Sequence, residues 1–291
     1  MDKFINFTLK NTADKFKNLE IDELLKFHFV FDEIAINPQY NDVFEAIKFE
    51  ILHKFSNLQT RFYFDSTNQD DIKKALMKFA KSDRKKLGIS KIFPRFKAQK
   101  IVDELLNINF LNLEKSHEKK PQKIHKNDKL PKTLRHYFVQ DKVQFKSNFS
   151  RFWFRFIQPN LHLLQICEFD KVLQIIKDDF ENYASLAYEN LCKEFLQIYL
   201  NIPHISSYWT KDTEIDIYAK FENFCLVGEC KYKDRKICKN VLNLLEQKCE
   251  KLAISPNIIA LFSKSGFSND LLNLQNSQIL LFELKDFKEF I

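Results

Sequence analysis

The fold of this chain is decided by two neighbouring stretches, EIDIYA at residues 214–219 and FCLVGECK at residues 224–231. The first alternates polar and apolar side chains with a period of two, and the second is an apolar run that ends in charged residues. Both patterns are typical of β-strands. The residues between them are enough for a hairpin turn with Lys220 opposite Cys225. In that register, Asp216 faces Glu229 across the two strands.

This register brings two like charges together. Directly opposite residues of an antiparallel pair have Cβ atoms about 4.5–5.5 Å apart, where like charges destabilise a sheet. A divalent cation between Asp216 and Glu229 would remove the repulsion, and Mg²⁺ binds proteins through one or two carboxylates plus waters. Lys231 lies two residues after Glu229 and therefore on the same face, with Ile215 and Ile217 on the other. A lysine there is placed to stabilise the charge of a phosphoryl transition state.

The elements around the hairpin predict a layered domain of helices and strands at residues 184–291. Upstream, apolar residues recur every four positions from Tyr183 to Tyr199, which predicts a helix of about twenty residues that ends before Pro203. The element order is α-β-β-β-α-β with a terminal strand. The remaining predicted elements are strands near residues 204–208, 258–262 and 279–284 and a helix at residues 236–252.

The rest of the chain is predicted to be mainly helical and to divide into three parts. Residues 1–66 form a helical N-terminal segment in which Asp42 is placed to cap a helix. Residues 67–140 form a winged-helix-like module that contains a basic loop at residues 115–136. Residues 141–183 form an aromatic-rich helical connector that packs between domains. The expected fold class is therefore α+β and multidomain, with a restriction-endonuclease-like αβββαβ domain at the C-terminal end.

Basic residues of the winged-helix-like module are the candidate contacts to DNA. A recognition helix presents its early residues to bases and phosphates, and Lys and Arg in a loop can follow the phosphate backbone, which makes binding salt-dependent. The alternatives are a helical bundle with a solvated basic face and a loop that is only a solvated linker. The candidates are Arg95, Lys97, Gln99 and Lys100 on the helix, and Lys119, Lys120, Lys123 and Lys126 in the loop.

Composition narrows the classes of function. Of 291 residues, 46 are Lys or Arg and 39 are Asp or Glu, and the net charge of +7 permits nucleic-acid binding without establishing it. A content of 45% apolar residues argues against a disordered chain, and no apolar run reaches the roughly 18 residues of a membrane helix.

With six cysteines and no export signal, we expect a cytoplasmic protein with reduced thiols. The three glycines, Gly88, Gly228 and Gly266, are spaced in a way that excludes a P-loop and a dinucleotide fingerprint.

The order Asp216, then Glu229-Cys230-Lys231, resembles the D…ExK signature of the PD-(D/E)XK nuclease superfamily. Glu189 matches the acidic residue that many members carry on the preceding helix. More narrowly, most of the chain resembles the C-terminal domain of unknown function attached to archaeal-type AAA ATPases. The matching segments are YEN at 188–190, Trp209 before EIDI at 214–217, GECK at 228–231, FSKSGF at 262–267, Asp141 and FWFRFI at 152–157.

The resemblance implies a DNA endonuclease that uses Mg²⁺ or Mn²⁺ to hydrolyse phosphodiester bonds. Asp216, Glu229 and the backbone carbonyl of Cys230 would hold the metal. Glu189 would bind a water of the metal or a second ion, and Lys231 would act on the nucleophile or on the transition-state charge. DNA is the implied partner. In that family an ATPase precedes these parts, and the chain lacks one, so a separate ATPase is a further expected partner. No membrane partner is expected. The sequence leaves the oligomeric state open and is compatible with a dimer.

A second function stays open on the sequence alone. The chain would then be a catalytically inactive DNA-binding or regulatory protein that keeps the nuclease fold as a scaffold. The two hypotheses differ at Asp216 and Glu229, because only the nuclease needs to bind metal there. Gln247, on the helix after the hairpin, is a further candidate to face the site, and Trp209 is expected in the core.

Overall fold

The computed structural model describes residues 7–65, 67–81, 84–118, 125, 127–129 and 138–291. The predicted loop contacts Lys119, Lys120, Lys123 and Lys126 lie outside the described residues. No helix in the described part of the chain is both long enough and apolar enough to cross a membrane.

The N-terminal part is helical, and its first strong helix signal is confirmed. The side chain of Asp42 accepts a hydrogen bond of 2.8 Å from the backbone N–H of Glu45, so it caps the helix that begins at Val43. The elements are α1 (Thr8–Ala13), α2 (Ile21–Phe31), α3 (Val43–Ala46), a π-helical segment (Ile47–Leu52), α4 (Phe55–Gln59) and a 3-10 turn (Thr60–Phe62).

The next part combines helices with a two-stranded antiparallel sheet. Leu111 pairs with Phe145 at one end of this sheet and Glu114 with Lys142 at the other. Lys85 forms an isolated antiparallel bridge to Lys142, so the segment between the two helices also reaches the sheet. The elements are α5 (Gln69–Phe79), a 3-10 segment (Lys86–Lys91), α6 (Arg95–Asn107), β1 (Leu111–Glu114) and β2 (Lys142–Phe145).

The connector is a core segment, as its aromatic residues predicted. Five aromatic side chains in residues 149–156 are at most 2% exposed, which favours packing over base stacking. The elements are α7 (Asn148–Phe152), a π-helical segment (Trp153–Ile157), a 3-10 turn (Gln158–Asn160), α8 (Leu161–Gln165) and α9 (Phe169–Tyr199).

Helix α9 is longer than the sequence pattern predicted. It has 31 residues and runs continuously through the boundary predicted between residues 183 and 184. Val172, Ile176 and Phe180 are buried on it at the same spacing of four residues, so the apolar face extends upstream without a break. One rigid helix therefore connects the aromatic core to the sheet.

The C-terminal part is a five-stranded sheet with helices on both faces. Its order is β3-β4-β5-β6-β7, with β3, β4 and β5 antiparallel and β5, β6 and β7 parallel. Phe195 of α9 packs against Phe262 and Phe282 on one face, and Leu242 and Leu245 pack in the core of the other. The elements are β3 (Ser206–Trp209), β4 (Glu214–Phe221), β5 (Phe224–Lys231), α10 (Lys239–Lys251), β6 (Ile258–Ser263), α11 (Asn269–Leu272), β7 (Ile279–Glu283) and a 3-10 segment (Leu284–Phe290).

The predicted hairpin register is confirmed along most of its length. Lys220 pairs with Cys225, and the ladder continues to Ile217 and Gly228. Gly228 is required there, because a Cβ on it would lie 2.5 Å from the carbonyl oxygen of Ala260 on β6. The strand that carries Glu229 is thus held closely between its two neighbours.

The register of β3 against β4 shifts near Asp216, and there the prediction that Ile215 and Ile217 share one side is wrong. Between the pairs Ser206–Tyr218 and Tyr208–Ile215, β3 advances two residues while β4 advances three. This extra residue is a β-bulge, which reverses the alternation of side chains. Ile215 and Ile217, predicted on one side, therefore pack in different cores. Asp216 lies just beyond the last paired position of β4 and β5 rather than in a regular pair with Glu229.

Candidate active site

The bulge turns Asp216 toward the backbone of β5. Its Oδ2 atom accepts a hydrogen bond of 3.0 Å from the backbone N–H of Cys230. Bulges are frequent next to active sites because they redirect a side chain. Asp216 and Glu229 therefore come together as the sequence predicted, although by a different backbone path.

Asp216 has no cationic partner of its own among the described residues. The pKa of its carboxyl group is raised well above its ordinary value, first by loss of hydration and then by the negative charges of Glu189 and Glu229. The positive charge of Lys231 and the hydrogen bond from Cys230 act in the opposite direction and are outweighed. The site thus contains a carboxylate whose charge a cation would stabilise.

Glu229 is in the opposite situation, because both of its oxygens are paired. The Nζ atom of Lys231 lies 2.6 Å from Oε1, and the Nζ atom of Lys248 lies 2.8 Å from Oε2. The side chain of Glu229 is only 10% exposed, while the two lysines are about one-third exposed (34% and 29%). Against its own loss of hydration, the pKa of Lys231 is raised by Glu229 and Asp216.

Lys248 was not predicted to belong to the site. The sequence pointed to the neighbouring residue Gln247, but Gln247 is exposed and Lys248 faces Glu229. Both lie on α10, and one residue shifts a side chain by about 100° around a helix axis. The sequence pattern places the start of α10 only to within a few residues. That is too coarse to tell which of Gln247 and Lys248 faces the site.

Glu189 of α9 lies in the same cleft, as the resemblance implied. Loss of hydration raises the pKa of its carboxyl group, more than the positive charges of Lys193, Arg84 and Lys142 lower it. Glu189 also repels Asp216. We refer to Glu189, Asp216 and Glu229 as the acidic wall.

The same cleft is also lined by positive charges from the helical part of the chain. The cleft has a volume of about 560 Å³. Arg84, Lys142 and Arg151 are each at most 6% exposed, whereas Lys81 is exposed. Sequence analysis assigned none of these residues to the site. The cations that we call the basic wall are Lys81, Arg84, Lys142, Arg151 and Arg155.

Most of the basic wall is neutralised by carboxylates. Arg84 lies 3.3 Å from Glu114 on β1, and Lys142 lies 2.5 Å from Glu214 on β4. The Nε atom of Arg155 donates a hydrogen bond of 2.8 Å to Asp179. The pair between Lys142 and Glu214 connects the sheet of the helical part directly to the strand that carries Asp216.

The predicted DNA contacts on α6 lie outside this cleft. Lys97 is 2.5 Å from Asp71, and Gln99 donates a hydrogen bond of 2.7 Å to Asp103. Lys100 is exposed, and Arg95 is exposed with its guanidinium group 5.4 Å from the ring centre of Phe138. Lys100 and Arg95 thus remain available for a partner, whereas Lys97 and Gln99 make contacts within the protein.

The donor set of the acidic wall fits a hard cation. Among the described residues, no group of three or more His, Cys, Asp or Glu side chains is arranged to hold a metal by side chains alone. A site at Asp216 and Glu229 would therefore need backbone oxygen and water to complete it, as is usual for Mg²⁺. Each oxygen of Glu229 is paired with one lysine and keeps a second lone pair that is available to a cation.

Comparison with known proteins finds that the segment carrying the acidic wall is similar to a family of unknown function. Residues 153–252 match the model of DUF234, described as archaea bacterial proteins of unknown function. A curated relative, the uncharacterized protein MJECL04 of Methanocaldococcus jannaschii, is 33% identical over 156 residues, which cover 49% of this chain and 34% of that protein. The chain thus spans about one-third of the length of this relative. No solved structure matches the chain.

These matches confirm the predicted resemblance to a domain of unknown function. The matched segment includes Glu189, Asp216, Glu229, Lys231 and Lys248 but ends before β6. The assignment to the nuclease superfamily stays a prediction, because neither match carries an activity.

Proposed function

We propose that this chain is a Mg²⁺- or Mn²⁺-dependent nuclease that hydrolyses phosphodiester bonds of DNA in the cleft between its two walls. The observation that carries the proposal is the acidic wall itself. Three carboxylates from α9, β4 and β5 share one cleft, and loss of hydration raises the pKa values of Asp216 and Glu189 by more than the nearby lysines and arginines lower them. Raised pKa values in a cleft are typical of functional sites.

The residues of the site have distinct roles in this proposal. Asp216, Glu229 and the backbone carbonyl of Cys230 would hold the ion, which when bound would supply Lewis-acid activation of the phosphodiester and of water. Glu189 would orient water from the helix side. Lys231 would place its ammonium group near the developing negative charge, where a fixed charge in a site of low hydration stabilises a transition state.

The helical part would position the DNA. The order α5, bridging residue Lys85, α6, β1 and β2 supports a winged-helix-like arrangement. In such modules the second helix of a helix-turn-helix enters the major groove, so Arg95 and Lys100 of α6 are the proposed contacts to the duplex. A separate ATPase remains a proposed partner.

One observation favours the inactive-scaffold alternative. Both oxygens of Glu229 are held by lysines, and a carboxylate already compensated by two positive charges has less to gain from a metal. In that case the fold would serve DNA binding alone.

Thermal melting and cleavage assays on the full chain separate the two functions. The wild type should cleave at least one member of a panel of duplex, single-stranded and branched DNA and RNA, and millimolar Mg²⁺ or Mn²⁺ should raise its Tm. Asp216→Asn should lose both effects. Glu222→Gln is the matched control, because Glu222 is an exposed acid in the turn of the same hairpin, and it should keep both. A wild type with no cleavage and an unchanged Tm in metal would rule out the nuclease.

A further inference from the structure

The charges of the cleft are unbalanced in two places, one on each wall. On the acidic wall, Asp216 and Glu189 make no ion pair within the described part of the chain. On the basic wall, Lys81 and Arg151 likewise have no carboxylate partner among the described residues. The other cations that line the cleft each have one. The cleft therefore contains charges of both signs that have no ion-pair partner among the described residues.

Arg151 is the most unusual of these groups. Its side chain is 5% exposed, and its Nη2 atom donates a hydrogen bond of 2.6 Å to the backbone carbonyl of Tyr183. The guanidinium carbon lies 4.0 Å from the centre of the Tyr183 ring. A buried charge is costly unless it is paired. The hydrogen bond and the ring contact supply only part of that compensation.

Two further arginines increase the cost. Burial lowers the pKa of Arg151, and the positive charges of Arg84 and Arg155 lower it further, while Tyr183 and the carboxylate of Glu189 act in the opposite direction. Glu114 pairs with Arg84 and Asp179 pairs with Arg155, and neither carboxylate forms an ion pair with Arg151. An anion in the cleft would relieve this repulsion directly.

The position of Arg151 also decides on which side the anion would lie. Arg151 borders both the cleft and a second cavity of about 310 Å³. The second cavity is lined by Lys15 and Lys146 besides Arg151, and by the carboxylates Asp32 and Glu194. Six lysines and arginines line the cleft against three in the second cavity, and Arg84 and Lys81 line only the cleft, so more positive charge converges there.

We infer that Arg151 and Lys81, supported by Arg84, form a phosphate-binding surface that holds a backbone phosphate of the nucleic-acid strand opposite Asp216 and Glu189. This inference rests on the proposed function, since it takes the bound strand to be the substrate of the acidic wall. A phosphate accompanied by a divalent cation has the charges that the two walls lack. Arginine suits the task because its planar donors match a phosphate group.

DNA binding in the absence of metal tests this inference without requiring cleavage. A labelled DNA duplex is titrated with the full chain in EDTA at several salt concentrations. Arg151→Gln should weaken binding about tenfold or more, because it removes charge-assisted hydrogen bonds. Lys81→Gln should weaken binding severalfold and reduce the slope of log K against log salt by about 1.

The control is Lys171→Gln, which removes the same charge from an exposed position of α9 18 residues before Glu189. If Arg151→Gln does not fold, Lys81→Gln decides, because Lys81 is exposed. Lys81→Gln that matches Lys171→Gln in affinity and salt slope would overturn the inference. Salt-dependent binding through Lys81 without cleavage in any metal would uphold the surface and reject the nuclease. Cleavage with an unaffected Lys81→Gln would do the reverse.

Discussion

The two walls of the cleft come from different segments of the chain, residues 81–155 and residues 189–229, and each contains both charges with an ion-pair partner and charges without one. On the acidic wall Glu229 is paired with two lysines, whereas Asp216 accepts a hydrogen bond from a backbone N–H and no ion pair. On the basic wall Lys142 is paired with Glu214, whereas Arg151 has a carbonyl and an aromatic ring.

This difference separates structural from ligand-binding roles. Removing one member of a compensated pair leaves its partner alone and costs stability. Removing an uncompensated charge relieves the free protein and affects the bound state. Variants of neighbouring residues with the same charge should therefore behave differently, and each prediction below compares such a pair.

The largest effect is expected for the two lysines that share Glu229. Lys231→Ala should reduce the rate of cleavage about 10²–10³-fold, the usual cost of removing a preorganised electrostatic group, while the metal-induced rise in Tm is kept because lysine is not a ligand. Lys248→Ala removes an equivalent ion pair from the other oxygen and should change the rate by less than about threefold. Single-turnover kinetics in Mg²⁺ would measure both.

The result would be contradicted by equal rate losses in the two variants. That outcome would mean that both lysines only hold Glu229 in place. Rescue by Lys231→Arg would not distinguish the two roles, so the metal-dependent Tm of each variant has to be measured as well.

Local sequence signals predicted the acidic wall better than the basic one. The hairpin is closed by a two-residue turn between Phe221 and Phe224, so its register follows from the pattern of adjacent residues. The bulge at Asp216 has no such signal, because Ile215 and Ile217 look identical in sequence whether they share a face or not. Even so, the bulge did not separate Asp216 from Glu229, which line the same cleft.

The basic wall depends on contacts that are distant in sequence. Arg84, Lys142 and Arg151 meet Glu189 and Asp216 only because β2 packs next to β4 and α7 packs against α9. Nothing in the spacing of these residues predicts that meeting. One weak signal was available, since Arg151 is a charge within an otherwise aromatic segment that was correctly expected in the core. A charge in such a segment needs a partner, and that argument could have marked it.

A smaller effect is expected on the stability of the metal-free protein. It should have opposite signs in the variants Glu229→Gln and Asp216→Asn. Glu229→Gln should lower the free energy of unfolding by about 1 kcal/mol, because it leaves Lys231 and Lys248 unpaired at a partly exposed position. Asp216→Asn should cost nothing or raise it. The pKa of Asp216 is raised in the folded state. The carboxyl group therefore has no effect on the free energy of unfolding below its unfolded pKa of about 3.9, and it lowers that free energy as pH rises through the folded pKa.

The advantage of Asp216→Asn over the wild type should therefore grow with pH. Denaturant melts in EDTA at a series of pH values would show this as a widening difference between the two midpoints. An advantage that shrinks as pH rises, or a Glu229→Gln variant as stable as the wild type, would show that the charges of the acidic wall are not compensated as described.

The smallest effect concerns helix α6, where the same contrast applies. Lys97 is paired with Asp71 at 2.5 Å, while Lys100 is exposed. Lys100→Gln should weaken binding of a DNA duplex about two- to threefold and lower the salt slope by about 1, because it removes one phosphate contact. Lys97→Gln should leave affinity nearly unchanged and lower Tm slightly, because a surface ion pair contributes about 0.2–1 kcal/mol. Fluorescence anisotropy in EDTA measures the DNA affinity of each variant, and a parallel thermal melt measures its Tm.

Equal losses of affinity would mean that the whole basic face of α6 contacts DNA, and no loss in either variant would confine binding to the cleft.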